Sequence, residues 1–275
     1  MFDVLPWYGT TILLWGFYWG LLCLVLCLGR LGQAPRQVGI AALACALRAG
    51  TSVSPPWYFW TKLLGIKLAA EWGSLYYPVL SLLLMGLLIY GLKWVTPTEV
   101  GLRGVRPGSA RPVGLVVAAI AAGVVLNAYY TQQEFTMLDW SGKLFRATLP
   151  GLTEEIFYRG VLLGLLGRVF ARRLPLPGAY TSWGGVVGII LFALAHGLKL
   201  QAYQMALMLA SNLHVSLQGW YYWLPLWHSS AADQLNYLAM GSLLLWVRES
   251  TGSVWAAVGT HCLINTSLLL GASLE

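Results

Sequence analysis

Apolar stretches about as long as a bilayer crossing recur along this chain, at residues 7–29, 75–93, 113–130, 144–167, 183–198, 233–247 and 252–271. A helix of about 20 apolar residues crosses the hydrocarbon core, and inside it every backbone N–H and C=O must find its partner within the protein. The chain is thereby restricted to an all-α, polytopic transmembrane helical bundle. Two further stretches leave alternatives open. Residues 37–49 are apolar but short, and residues 55–73 are broken by Pro55 and Pro56 and carry Lys62, Lys67 and Glu71. Each fits a span, a re-entrant piece or a helix lying in the interface.

With 58% hydrophobic and only 10% charged residues, and a mean hydropathy of +0.67, an ordinary soluble domain is excluded. Trp and Tyr cluster at the ends of the apolar runs, as at Trp7/Tyr8, Trp57/Tyr58, Tyr76/Tyr77 and Trp220 to Trp223, where membrane interfaces place them. The net charge of +7 is spread over short loops rather than gathered in one patch, which fits topology and not nucleic acid. Arg30, Arg36 and Arg48 follow the first span, and Lys93, Arg103, Arg106 and Arg111 precede residues 113–130. Arg168, Arg172 and Arg173 follow residues 144–167, and Arg248 falls between the last two spans. Keeping all of them on one, cytoplasmic face requires one more crossing between 37 and 73, hence about eight spans with both termini outside. The first 29 residues lack Lys and Arg, so Trp7 to Gly29 reads as a retained span rather than a secretory leader. Cys23, Cys27, Cys45 and Cys262 lie in apolar runs and imply buried thiols, with no disulfide framework and no zinc site. Residues 201–233, with His214, His228 and "WYYWLPLW", fit the outer side or a dip back into the membrane.

Against this background the run "LTEEIFYRG" at 152–160 stands out, because intramembrane charges are costly and functional by default. Glu155 and Arg159 are i,i+4 neighbours on one helix face, while Glu154 points away from Arg159. A carboxylate with no cation on its own helix face holds a proton readily in a low-dielectric site, which makes Glu154 the candidate general base. An ionic knot that merely holds helices together is the competing reading. "FALAHG" sets Phe192 and His196 i,i+4 near the end of a span, and "GTHCLIN" sets His261 and Asn265 i,i+4 on the last one. An imidazole and a carboxamide so placed can donate hydrogen bonds to one point, as a developing oxyanion requires, or can serve as interhelical polar glue. Pro150-Gly151 before the glutamates, and Gly197 after His196, leave space for something to approach. Together, a base and oxyanion donors inside membrane helices form the set that acyl-transfer hydrolysis needs.

The segments "EEIFYR", "FALAH" and "HCLIN" match, in order, the motifs EExxxR, FxxxH and HxxxN, and over residues 144–270 the chain resembles the CPBP family of CAAX protease and bacteriocin-processing (ABI) membrane proteins. The resemblance implies an intramembrane endopeptidase of the glutamate type, similar to the type II CAAX prenyl endopeptidase, with a helical bundle around an intramembrane polar cavity. It implies that Glu154 activates water with help from His196, that His261 and Asn265 stabilise the oxyanion, and that Glu155 and Arg159 brace the site. Phe192 belongs to the same motif as His196. The catalytic core is then 144–273, preceded by membrane and interfacial helices of unassigned role at 1–143, in one integral domain. No cofactor is expected, and no metal, since there is no HExxH and Asn265 is a poor zinc ligand. Expected partners are a membrane-proximal or lipidated peptide substrate and the lipids of a prokaryotic inner membrane, with no nucleic acid. The alternatives are a non-hydrolytic scaffold or bacteriocin-immunity protein, and a proton-relaying transporter, which the lack of repeated halves disfavours.

Overall fold

The computed structural model describes residues 4–52, 70–131, 140–200, 225–227 and 229–274. It is predominantly helical, about 80%, and the chain divides into two units: residues 1–86 with 189–241, and residues 87–188 with 242–275.

In the first unit, α1 (Val4–Leu26), the short α2 (Leu28–Leu31), α3 (Pro35–Ser52) and α4 (Ala70–Gly86) follow in chain order. Gly16 and Gly20 on α1 are spaced four apart and face Ala42 and Ala46 on α3. A Cβ on Gly16 would stand 3.0 Å from the Ala46 carbonyl oxygen, and one on Gly20 would stand 3.4 Å from that of Ala42. Small residues at i,i+4 on both helices bring the backbones together, which is how helices associate where hydrocarbon removes the hydrophobic drive. The opposite stripe of α1 stays uncovered: Leu13 is 74% and Phe17 61% exposed, followed at i+4 intervals by Leu21 and Val25. Lipid acyl chains are the solvent such a stripe fits. Arg48 does not lie in a basic loop, as the topology reading required. It sits inside α3, buried, donating to the Tyr77 hydroxyl at 2.5 Å, and beside it Thr51 Oγ1 meets Ser81 Oγ at 2.9 Å. These two contacts tie α3 to α4. Residues 53–69 and 201–224, to which the expectations for 55–73 and for the outer segment mostly refer, lie outside the described residues.

The second unit contains a π-helical turn (Leu87–Gly91), α5 (Pro97–Val100), α6 (Ala110–Thr131), and α7 (Trp140–Glu155), which runs through a π-helical stretch (Ile156–Leu162) into α8 (Leu163–Gly167). A two-stranded antiparallel ribbon follows, β1 (Leu174–Leu176) with β2 (Ala179–Thr181), in the register Leu174↔Thr181. A second ribbon, β3 (Leu198–Leu200) with β4 (Pro225–Trp227), belongs to the first unit. These ribbons are the departure from an all-helical chain. Helices α9 (Trp183–Gly197) and α10 (Ala231–Thr251) each contribute a half to both units, and α11 (Val254–Gly271) completes the second. α6 and α11 are long and apolar enough to cross a membrane, and Thr10–Leu26, Tyr77–Gly91 and Trp183–Gly197 are shorter apolar helices.

α11 packs on both α6 and α7, and it can do so because glycines sit at the crossings. Gly271 lies against the Val125 carbonyl and Ala128 with no room for a Cβ. At the other crossing, a Cβ on Gly151 would stand 2.9 Å from Cys262 Sγ. The apparent opening left by Pro150-Gly151 is thus filled by α11.

At the end of this unit that carries the basic loops, Thr96 and Glu99 form a capping box on α5. The Glu99 carboxylate also takes a bidentate pair of 2.7 Å bonds from Arg168. Arg248, expected between spans, lies in the last turn of α10 and is buried. Its guanidinium donates to the carbonyls of Arg159 and Glu99, both at 3.1 Å.

Two outcomes follow. Gly16→Leu destabilises the protein by about 1–3 kcal/mol through overpacking, seen as a lower Tm in detergent, whereas Gly29→Leu, with nothing within 4 Å, leaves Tm unchanged. The Arg168 guanidinium lowers the Glu99 carboxyl from its ordinary 4.5 to about 2. A lowered carboxyl stabilises the fold fully above about pH 4.5, and that contribution disappears as pH falls toward 2. Because the pair is partly exposed, the effect is at most about 1 kcal/mol. Thermal unfolding across this window shows it as a slope difference between the parent and Glu99→Gln.

Candidate active site

Glu155 ends α7 and is 0% exposed. Its Oε1 accepts from Arg159 Nη1 at 3.1 Å and from His261 Nδ1 at 2.9 Å. Both donors are themselves buried, while Oε2, also buried, has no hydrogen-bond partner among the described residues. The Arg159 contact is local, the i,i+4 pair that helix geometry dictates. The His261 contact is tertiary and depends on Gly151, where a Cβ would press on His261 Cβ at 3.3 Å. An isolated ion here would cost several kcal/mol in desolvation, so the three side chains are stable only as a group.

This geometry fixes the chemistry of the imidazole. A carboxylate oxygen can only accept, so Nδ1 carries the proton. In the neutral ring Nε2 is then a lone-pair acceptor, and it becomes a donor only when the ring is an imidazolium.

Asn265 lies one turn beyond His261 and is half-buried. Its Nδ2 donates to the Arg146 carbonyl at 3.0 Å. The sequence explains why that carbonyl is available: Pro150, four residues on, has no N–H to give it. Asn265 therefore supplies from α11 the hydrogen bond that α7 lacks. Cys262 Sγ reaches the Thr148 carbonyl at 3.4 Å, and Thr153 Oγ1 bonds back to the Leu149 carbonyl at 3.0 Å. The proline-containing turn before the glutamates is thus held by side chains.

Glu154 is half-buried and lies within electrostatic reach of His261. His196 and Phe192 belong to the first unit. There His196 Nδ1 donates to the Phe192 carbonyl at 2.9 Å, which leaves Nε2 as an acceptor in the neutral ring. The imidazole stacks on Tyr237, ring centroids 4.5 Å apart at 28°, and touches the Phe192 ring at 4.6 Å. Gly197 has no space for a Cβ because Gln234 and Ser229 occupy it, so it serves packing.

Of the residues singled out by sequence, Glu155, Arg159 and His261 come into direct contact, and Asn265 joins them through the α7 backbone. Tyr237 and the role of the Arg146 carbonyl were not anticipated. Only Pro150 carried a signal for the latter, since a proline inside a helix always frees the carbonyl four residues before it. Among the described residues no three His, Cys, Asp or Glu side chains are grouped as metal ligands would be.

Apolar helices that enclose a carboxylate–imidazole–guanidinium group define an integral membrane protein with a buried polar site. Residues 135–267 match the family model described as type II CAAX prenyl endopeptidase Rce1-like. The matched region contains all three motifs. Comparison with curated proteins and with solved structures found no match.

The account of Asn265 predicts a specific coupling. Asn265→Leu costs about 0.5–1.5 kcal/mol in the parent, the net worth of the hydrogen bond that is lost. In a Pro150→Ala background, where the helix supplies the missing N–H, the same substitution is nearly neutral. Unfolding of the four proteins of this double-mutant cycle measures the difference.

Proposed function

We propose that the protein is an intramembrane endopeptidase that hydrolyses a peptide bond in a membrane-proximal or lipidated peptide, with 144–273 as its catalytic core. The observation that carries the reading is the buried Glu155–His261 hydrogen bond within a region matched by an endopeptidase family. A structural knot needs Glu155 to neutralise Arg159. It does not need an imidazole from another helix whose Nδ1 proton is held by that same carboxylate.

In this reading Glu154 is the general base. It takes a proton from water as the water oxygen bonds to the scissile carbonyl carbon. His261, as imidazolium with Nδ1–H on Glu155, donates a hydrogen bond from Nε2–H to the oxyanion and keeps its proton, and Asn265 contributes the Nδ2–H not used on Arg146. Collapse reforms the C=O bond and breaks the C–N bond, the proton on Glu154 passes to the departing nitrogen, and the proton left on the new carboxyl group ends on the amine, so that a carboxylate and an ammonium leave. His196 takes the role that the FxxxH motif implies, assisting the base, and the acceptor character of its Nε2 suits that role. Arg159 fixes Glu155 and does not touch substrate. No step requires a metal or cofactor. A prokaryotic inner membrane and about eight crossings complete the proposal.

A quenched fluorescent farnesylated CAAX peptide, and its unlipidated counterpart, presented to the detergent-purified protein test this. Cleavage of at least one is expected, falling by about 10²–10⁴-fold in Glu154→Ala, the size of a general-base contribution, with Tm retained. A Glu154→Ala protein that cleaves as well as the parent rules the mechanism out.

A further inference from the structure

Among the described residues, a second polar group in the same unit, at the α10–α11 turn, takes no part in this reaction. The turn is built on Gly252, whose φ of +72° is the left-handed conformation glycine adopts freely. Arg103 Nε donates to the Gly252 carbonyl at 3.0 Å, and the Arg106 backbone N–H donates to the Thr251 carbonyl at 2.8 Å. The loop between α5 and α6 is thereby clamped onto the turn, and two guanidinium groups are brought to one place. Arg103 Nη2 lies 3.1 Å, and Arg106 Nη2 3.4 Å, from the point where a Cβ on Gly252 would stand. Buried Arg248 feels the like charges of Arg103, Arg106 and Arg172. The nearby carboxylate, Glu249, is buried and already taken, by Thr181 Oγ1 at 3.1 Å and by Arg172 at 3.4 Å. The exposed Arg106 guanidinium has no hydrogen bond or ion pair among the described residues.

Topology requires basic residues in these loops, but it does not require their side chains to converge. Guanidinium groups that face one point without a carboxylate between them are matched by an anion with several acceptor oxygens, and the planar fork of arginine suits a phosphate. The adjoining ribbon indicates where that phosphate comes from. β1–β2 exposes Leu174 and Tyr180, and Trp183 follows, 45% exposed, while Trp246 Nε1 fastens the ribbon by donating to the Pro177 carbonyl at 2.8 Å. Arginines beside exposed aromatic and aliphatic side chains at the ends of membrane helices are the pattern of a headgroup-level surface. We propose that Arg103 and Arg106, flanked by Arg172, form a binding site for the phosphate of an anionic phospholipid, which fixes the loop between α5 and α6 to the α10–α11 turn.

Delipidated full-length protein in neutral detergent, titrated with dioleoylphosphatidylglycerol, dioleoylphosphatidylcholine or inorganic phosphate and followed by native mass spectrometry and Tm, tests the site. The expected result is a saturable phosphatidylglycerol adduct that raises Tm, with phosphatidylcholine and inorganic phosphate giving no such shift. Arg106→Gln, exposed and without a structural partner, weakens the adduct about tenfold. Arg111→Gln, which removes an equal charge from the first turn of α6, binds as the parent does. Equal loss in both variants would show diffuse attraction and overturn the site. Equal binding of phosphatidylcholine, or the same Tm shift with inorganic phosphate, would overturn the assignment to an anionic lipid.

Discussion

A carboxylate with no exposed surface must have its charge answered inside the protein, and the way Glu155 is answered organises the second unit. Arg159 follows from helix geometry alone. His261 comes from another helix and sets where α11 must lie. Gly151 and Gly271 then become necessary, because a side chain at either would push α11 away from α7 or α6. The π-helical stretch that begins after Glu155 shifts the backbone register over the same residues, and the Arg159 carbonyl there accepts from Arg248. One buried charge thus couples the proline-containing turn of α7, the approach of α11 and the anchoring of α10. Irregular backbone of this kind is common near functional sites.

The bilayer explains why so much of the remaining surface is apolar. Leu115 on α6 is 65% exposed and Leu144 on α7 63%, values that would mark aggregation surfaces in water and are ordinary against hydrocarbon. Several charged groups are nonetheless buried, Arg48 in the first unit and Glu155, Arg159, Arg248 and Glu249 in the second. Arg48 on α3 and Arg248 on α10 are both buried, and each has a specific acceptor, a tyrosine hydroxyl or backbone carbonyls.

What the sequence disclosed follows the range of each interaction. The apolar runs at 113–130, 144–167 and 252–271 reappear as α6, as α7 through α8, and as α11, because span length and hydropathy are local properties. The Glu155–Arg159 pair was legible for the same reason. The β1–β2 turn was in principle legible in Pro177-Gly178, where Gly178 takes a φ of +69°, a turn signal that helical patterning overshadowed. Tertiary partners were out of reach. Spacing relates His261 to Asn265 but cannot say that the first meets Glu155 and the second a carbonyl freed by Pro150. Counting loop charges likewise could not reveal that Arg48 and Arg248 are interior residues, since that depends on acceptors distant in sequence.

The central claim is that Glu155 holds His261 with its proton on Nδ1. Nitrogen-15 NMR of histidine-labelled protein in micelles, with His261 assigned by substitution, measures this directly. The account predicts a protonated Nδ1, whose signal moves when Glu155→Leu removes the acceptor. A His261 whose Nδ1 is an unprotonated lone pair, with chemical shift indifferent to Glu155→Leu, would contradict it.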